Sequence, residues 1–257
     1  MKILILGAGK MGSFFCDLLS FDHNVGIYDH DPRRLRFTYN CQRFESLEAI
    51  DSFKPEFVIN AATVKYTIDA FRQVLPHIPA NAIISDIASV KTGLPEFYAE
   101  AGHPFVSTHP MFGPTFASLS NLANENAIVI SEGCEAGIKF FNELYSSLGL
   151  HIEHYTFAGH DSTVAYSLSI PFASSLVFGS AMKPQPAPGT TFKRHLAIAR
   201  GLMSEDDYLL SEILFNPNTS EQLDRISGAL DELRGIIVRR DSAAMKAFLD
   251  RVRLNIS

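Results

Sequence analysis

The chain is predicted to be an α/β protein. A doubly wound parallel sheet is expected over residues 1–155, followed by an all-helical domain over residues 156–257. Three observations predict this. Short apolar runs at 2–6, 24–28, 55–60, 82–85, 104–108 and 127–130 alternate with stretches of helical spacing, the order a parallel sheet covered on both faces requires. A glycine-rich hexapeptide, Gly7-Ala8-Gly9-Lys10-Met11-Gly12, follows the first run at once and opens a helix. Beyond about residue 155 only helical spacing is found.

Each element follows from its residues. Lys2–Leu6 is a run too short for a signal peptide, and Gly-Ala-Gly interrupts it, so it reads as a buried strand. The segment from Ser13 to Leu19 has the apolar spacing of a helix. The strand NVGIY at 24–28 ends at Asp29, and PFVST at 104–108 ends at His109. A helix is expected over Glu135–Leu148. The segment Ser162–Met182 carries no charge and is long enough to span a bilayer. Six serines and a central Pro171 argue instead for burial between helices, with a kink at the proline. A Pro/Gly-rich connector covers 183–191, and Leu223, Ile226, Leu230, Leu233 and Ile236-Ile237 mark one clear helical stripe. The long apolar helix needs burial on most sides, which a small helical domain offers poorly, so a homodimer with interleaved helices is expected.

Composition narrows the function. With 46% hydrophobic residues the chain is not disordered. A formal net charge of -6 disfavours nucleic acid as a partner. The three cysteines, Cys16, Cys41 and Cys134, form neither a disulfide framework nor a CxxC site. A reducing, cytoplasmic setting is expected, with no metal site and no membrane partner. The two halves use all 257 residues, so no additional fused domain is expected.

Five motifs carry chemistry. In the glycine turn, side chains at Gly7 or Gly9 would block the turn or the approach of a dinucleotide pyrophosphate, and Gly12 lets the helix pack on the strand. Asp29 stands near the spacing expected of a carboxylate that binds adenosine ribose hydroxyls, which favours NAD; Arg33 and Arg34 follow closely and keep NADP open. In Ser85-Asp86-Ile87-Ala88-Ser89-Val90-Lys91, Ser89 reads equally as a substrate hydroxyl partner or a helix cap, and Lys91 sets local charge. His109, opening His109-Pro110-Met111-Phe112-Gly113-Pro114, stands at the mouth of the sheet, and imidazole suits the base that hydride transfer from a carbinol carbon needs. His160-Asp161 reads as a helix-capping pair or a site pair, and Lys193 and Arg194, beside His195, as surface charge or a carboxylate partner.

These motifs, in this order and spacing, resemble the prephenate dehydrogenase family, which includes arogenate dehydrogenases. The likeness rests on GAGKMG at 7–12, SDIASVK at 85–91, HPMFGP at 109–114 and HDSTVAY at 160–166, with the helical tail FKRHLAIARGLMSEDDYLLSEILFNPN. The resemblance implies a Rossmann domain with a helical dimerisation domain. It implies NAD-dependent oxidative decarboxylation of prephenate to 4-hydroxyphenylpyruvate, in tyrosine biosynthesis. By position, His109 would be the base, Ser89 would orient the hydroxyl, and Lys91 would support the site. Residues 7–12 and Asp29 would bind the cofactor, and His160, Lys193 and Arg194 the substrate.

Two positions depart from the family pattern. Phe172 stands where a second histidine is frequent, and Lys193 where many members have an arginine, a point charge in place of a bidentate fork. They bear on prephenate versus arogenate, and they motivate a third possibility, an NAD(H)-sensing module without catalysis.

Overall fold

The computed structural model describes residues 1–112 and 119–257; Gly113 and Pro114 of the histidine motif lie outside the described residues. The strands are β1 (Lys2–Leu6), β2 (Asn24–Tyr28), β3 (Gln42–Phe44), β4 (Phe57–Asn60), β5 (Ile83–Asp86), β6 (Phe105–Pro110), β7 (Asn126–Ile130) and β8 (His151–Tyr155). They form one sheet in the order β3-β2-β1-β4-β5-β6-β7-β8. Helices α1 (Lys10–Leu19), α2 (Thr67–Val74), α3 (Leu94–Ala101) and α4 (Glu135–Ser147) cover it.

Two strands were not anticipated. β3 is only three residues long, and β8 (HIEHY) holds one aliphatic residue and faces largely outward at an edge, so neither has a legible apolar pattern. The sheet is mostly parallel, as expected, with one exception. β7 runs antiparallel to β6, while β8 is parallel to β7. An antiparallel pair needs no α-helical crossover, and the described residues between β6 and β7 hold only a short 3-10 turn at Leu119–Asn124.

Alternate residues of the central strands feed two apolar layers. Ile3, Ile5, Ile59, Val106 and Val129 pack with Phe15 and Leu19 of α1 and Phe141 and Tyr145 of α4. Leu4, Leu6, Val58, Ile84 and Ile128 pack with Phe71 of α2 and Phe97 and Tyr98 of α3. Full burial of each such aromatic contributes roughly 1.5–3 kcal/mol.

The order of the strands reverses about β1, whose neighbours are β2 and β4. In an open parallel sheet, the crevice for ligands lies at the carboxyl ends of the strands at that reversal. The glycine turn fills it. Gly7 has φ +93°, which side-chain-bearing residues rarely adopt, and a Cβ there would lie 3.0 Å from Ala61 O. A Cβ on Gly12 would lie 1.8 Å from the Gly7 carbonyl oxygen, so α1 rests directly on the turn.

The chain divides into two compact units, Met1–Asp161 and Ser162–Ser257. The boundary falls beyond the residue 155 expected from the sequence and carries His160 and Asp161 into the first unit. The remaining helices are α5 (Phe157–Val164), α6 (Ile170–Ala181), α7 (Thr190–Leu202), α8 (Asp207–Leu214), α9 (Thr219–Arg239) and α10 (Ser242–Asn255). Between α5 and α6 the helix widens into a π segment at Ala165–Ser169. Pro171 has no N–H to donate and would crowd the carbonyl of a regular turn, so the wider turn does what a kink was expected to do. The run Phe157–Ala181 is long and apolar enough by composition to cross a membrane. In the second unit, Ser169 Oγ donates to the Ile213 carbonyl at 3.1 Å and accepts from Thr219 Oγ1 at 2.9 Å, pinning the π segment to α8 and α9.

Replacing Gly12 with Ala forces a methyl group against backbone that cannot give way. The expected loss is about 1–3 kcal/mol, from the cost of overpacking. Urea denaturation would show it, and an unchanged midpoint would contradict this packing.

Candidate active site

The nucleotide end of the crevice is built from backbone. Gly7 N–H donates to Tyr28 O at 2.8 Å, and Ala8 N–H donates to Asp29 Oδ2 at 2.7 Å. The N–H of Ala8, one of the residues expected to bind the cofactor, holds the turn to the end of β2. The first intrahelical bond runs from Ser13 N to Gly9 O, so the earlier N–H groups of α1 have no intrahelical partner. The helix starts at Gly9 with no side-chain cap and no acidic residue in its first turn. A Cβ built on Gly9 meets nothing within 4 Å. This is an open cradle at the positive end of a helix, which fits a pyrophosphate. Of the other expected residues, Lys10 is exposed, while Met11 packs against the core.

Asp29 is 4% exposed. Its Oδ2 takes Ala8 N–H, its Oδ1 takes the Asp31 N–H at 2.9 Å, and His30 Nδ1 is 3.2 Å from Oδ1. Each carboxylate oxygen keeps acceptor capacity for a ribose hydroxyl. Arg33 is held bidentate by Asp31, with Nε and Nη2 at 2.9 and 3.0 Å, and this pairing brings the Asp31 carboxyl down to about 2.

The second half of the site hangs on β5 and β6. Lys91 is not a free cation in the crevice: its ammonium is sealed from solvent. It donates to Asp86 Oδ1 at 2.6 Å and to the Thr108 carbonyl at 2.8 Å. Asp86 also accepts from Ala88 N–H at 3.0 Å and from the Tyr98 hydroxyl at 2.7 Å. Burial lowers the Lys91 pKa, and the Asp86 charge opposes that shift. Because Thr108 precedes His109, the ion pair fixes the backbone that carries the imidazole. Ser89 lies half-buried in the loop after β5.

His109 lies inside the end of β6, paired with Ile128, rather than just after the strand. It is 6% exposed. Its Nδ1 stands 3.0 Å from His160 Nε2, and His160 Nδ1 stands 3.2 Å from Asp161 Oδ1. His160, expected from the sequence to bind substrate, meets protein groups here. The ring is fully buried and both of its nitrogens are engaged. Burial, then the neighbouring His160, then Lys91 hold His109 well below the ordinary histidine pKa. His160 is lowered too, chiefly by burial, with Asp161 opposing.

Lys193 and Arg194 stand at exposed positions on α7, in the second unit, and Phe172 is half-buried in α6. The sequence reading assigned no role to Asp86, Thr108, Tyr98 or Asn60. Asn60 Nδ2 donates to Thr67 O at 2.8 Å and its Oδ1 accepts from Ala62 N–H at 3.0 Å, shaping the loop that meets Gly7. Asp86 and Asn60 were discoverable as polar residues closing apolar strands. Among the described residues no His/Cys/Asp/Glu group could hold a metal ion.

Residues 19–149, just over half of the chain, match the family model described as the nucleotide-binding domain of prephenate dehydrogenase. That stretch begins after the glycine turn, which stands on its own geometry. A probable arogenate/prephenate dehydrogenase of Methanocaldococcus jannaschii is 22% identical over 73% of this chain and 45% of its own length. Arogenate dehydrogenase 1, chloroplastic, of Arabidopsis thaliana is 24% identical over 91% of this chain and 39% of its own. The chain thus spans less than half the length of these relatives. The crystal structure of prephenate dehydrogenase from A. aeolicus, in complex with hydroxyphenyl propionate and NAD+, superposes with TM-score 0.84 at 20% identity, covering 99% of this chain and 96% of that one.

The two lowered histidines set a pH dependence of stability. Unfolded, each binds a proton at about pH 6.5; folded, each resists it. The folded state therefore binds fewer protons, and stability that is full above about pH 6.5 is lost as the pH falls below it. Melting temperature is expected to fall on acidification from about pH 7 to about pH 5, less steeply in His109→Asn, since one depressed group is gone. Identical slopes in the two proteins would contradict this.

Proposed function

The chain belongs to the prephenate dehydrogenase family, and we propose that it catalyses the NAD-dependent oxidative decarboxylation of prephenate to 4-hydroxyphenylpyruvate. The observation that carries the reading is a buried, neutral imidazole, His109, on the same carboxyl edge of the sheet as the glycine cradle. Nicotinamide bound in such a cradle supplies the hydride acceptor. The chain's own residues do the rest. His109 takes the proton of the ring hydroxyl as the carbinol carbon is oxidised, and Ser89 orients that hydroxyl. Lys91 keeps the backbone under His109 in place. Loss of CO2 makes the ring aromatic and drives the reaction forward.

NAD rather than NADP is supported by Asp29 at the end of β2 and by Asp31, which occupies Arg33. A carboxylate repels a 2′-phosphate, and an arginine already in a fork–fork pair is a weaker partner for one. The exposed pair Lys193 and Arg194 is proposed to hold a substrate carboxylate. Arogenate is the second reading, supported by the name of the Arabidopsis relative. A second copy of this chain is proposed as partner. No residue of α6 is buried within the chain, and Leu230 and Ile237 of α9 are 60% and 58% exposed. An apolar stripe left this open calls for a cover.

Purified protein given prephenate or arogenate with NAD or NADP is expected to turn over fastest with prephenate and NAD, releasing CO2. His109→Asn is expected to lower kcat by about 10²–10⁴-fold while leaving nucleotide binding intact, the share a positioned base supplies. Activity is expected to fall in acid as the imidazole protonates. Because burial holds that imidazole well below the ordinary histidine value, full turnover in the variant, or an acidic limb at or above about pH 6.5, would contradict the assignment.

Light scattering is expected to give twice the 28.4 kDa chain mass, and a monomer at micromolar concentration would contradict the dimer.

A further inference from the structure

We propose that His160 and Asp161 are positioning residues that fix the tautomer of His109, keeping the proton on Nδ1 and leaving Nε2 bare as the acceptor. This rests on the base role given to His109 above.

The geometry dictates the proton order. A carboxylate only accepts, so the contact between Asp161 Oδ1 and His160 Nδ1, at 3.2 Å, places a proton on that nitrogen. A neutral imidazole carries one N–H, so His160 Nε2 is an acceptor. Its neighbour at 3.0 Å, His109 Nδ1, is then the donor. The second nitrogen of His109 is left with its lone pair. The ring planes are inclined at 58° with centroids 5.3 Å apart, so the two rings meet through their nitrogens rather than by stacking.

Local structure makes the order obligatory. Thr156 Oγ1 accepts the Gly159 N–H at 3.0 Å, and Thr156 O accepts the His160 N–H at 2.8 Å, so α5 starts at a fixed register. That register puts His160 against the end of β6, where its side chain has no exposed surface. Sealed from water, its two nitrogens must find partners within the protein, and these are His109 and Asp161. Asp161 is one-third exposed, at the outer end of the chain of bonds. The other charged groups facing the histidine pair are the Lys91 ammonium and the Asp86 carboxylate, which neutralise each other at 2.6 Å.

The consequence is catalytic. When Nε2 of His109 takes the hydroxyl proton, the ring becomes an imidazolium whose Nδ1–H already points at His160. The new charge is held by hydrogen bonds that end on the Asp161 carboxylate, and no group has to reorient. This is the logic of a carboxylate that orients a catalytic imidazole, with a second imidazole inserted between them.

Nitrogen-15 NMR of histidine-labelled protein, without nucleotide and above pH 7, reads the tautomer directly. His109 is expected to show a protonated Nδ1 and an unprotonated Nε2, coupled to the same pattern at His160. The substitution His160→Phe is expected to abolish the single tautomer at His109. With prephenate and NAD, His160→Phe and Asp161→Asn are expected to lower kcat by about 10–10²-fold, part of what a positioned base contributes, with KM for NAD unchanged. His160→Gln, whose carbonyl oxygen still accepts from Nδ1, is expected to recover most of the rate. In Asp161→Asn the acidic limb of kcat/KM is expected to move to lower pH, because the carboxylate that favours the imidazolium is gone. The proposal is overturned by an Nε2-protonated His109 in the unaltered protein, or by wild-type turnover in His160→Phe while His109→Asn is impaired. Failure of the base reading shows separately, as full turnover in His109→Asn.

Discussion

One ammonium group, sealed from water, ties together the two strands on which the chemistry depends. Lys91 spans from the Asp86 carboxylate at the end of β5 to the Thr108 carbonyl near the end of β6. Burying a charge is tolerable only when it is paired and its other donors are used, and here every partner is supplied by the first unit. Asp86 accepts in turn from Ala88 N–H and from the Tyr98 hydroxyl of α3. Taking away either partner leaves an isolated buried charge, which typically costs about 3–5 kcal/mol. The pair therefore acts as a clamp, and His109 is the next residue along the clamped backbone.

The nucleotide end of the crevice follows the opposite strategy. It has little side-chain chemistry and is shaped by close backbone contacts. Gly7 and Gly12 touch, Ala8 is tied to Asp29, and Gly9 is left with open space before it. An anion at such a turn would be met by a helix terminus, where no lysine or arginine is required. At the imidazole end, by contrast, three ionisable side chains follow one another through hydrogen bonds, His109 and His160 buried and Asp161 one-third exposed. Low dielectric strengthens each contact and makes the proton order definite.

Much of this was legible in the sequence because local pattern and global fold agree there. The buried central strands are continuous apolar runs, and the glycine turn stands where its strand and helix demand. His109 could be singled out because it closes an apolar run at a sheet edge. What was not legible depended on long-range pairing. β3 and β8 have no apolar pattern of their own and exist because a neighbouring strand offers an edge. The role of His160 was hidden for the same reason: its partner is 51 positions away in the chain. A capping pair and a bridging pair look alike in sequence, and only the fold shows that Thr156 performs the capping. The tie from Ala8 N–H to Asp29 likewise links residues 21 positions apart.

The central claim is that Nε2 of His109 faces the hydroxyl it deprotonates. A crystal structure of this protein with NAD and a 4-hydroxyphenyl product analogue tests it most directly. The analogue's ring hydroxyl is expected within about 3 Å of His109 Nε2, with Nδ1 still on His160. An imidazole rotated away from the analogue, or a hydroxyl met only by water or by another side chain, would contradict it.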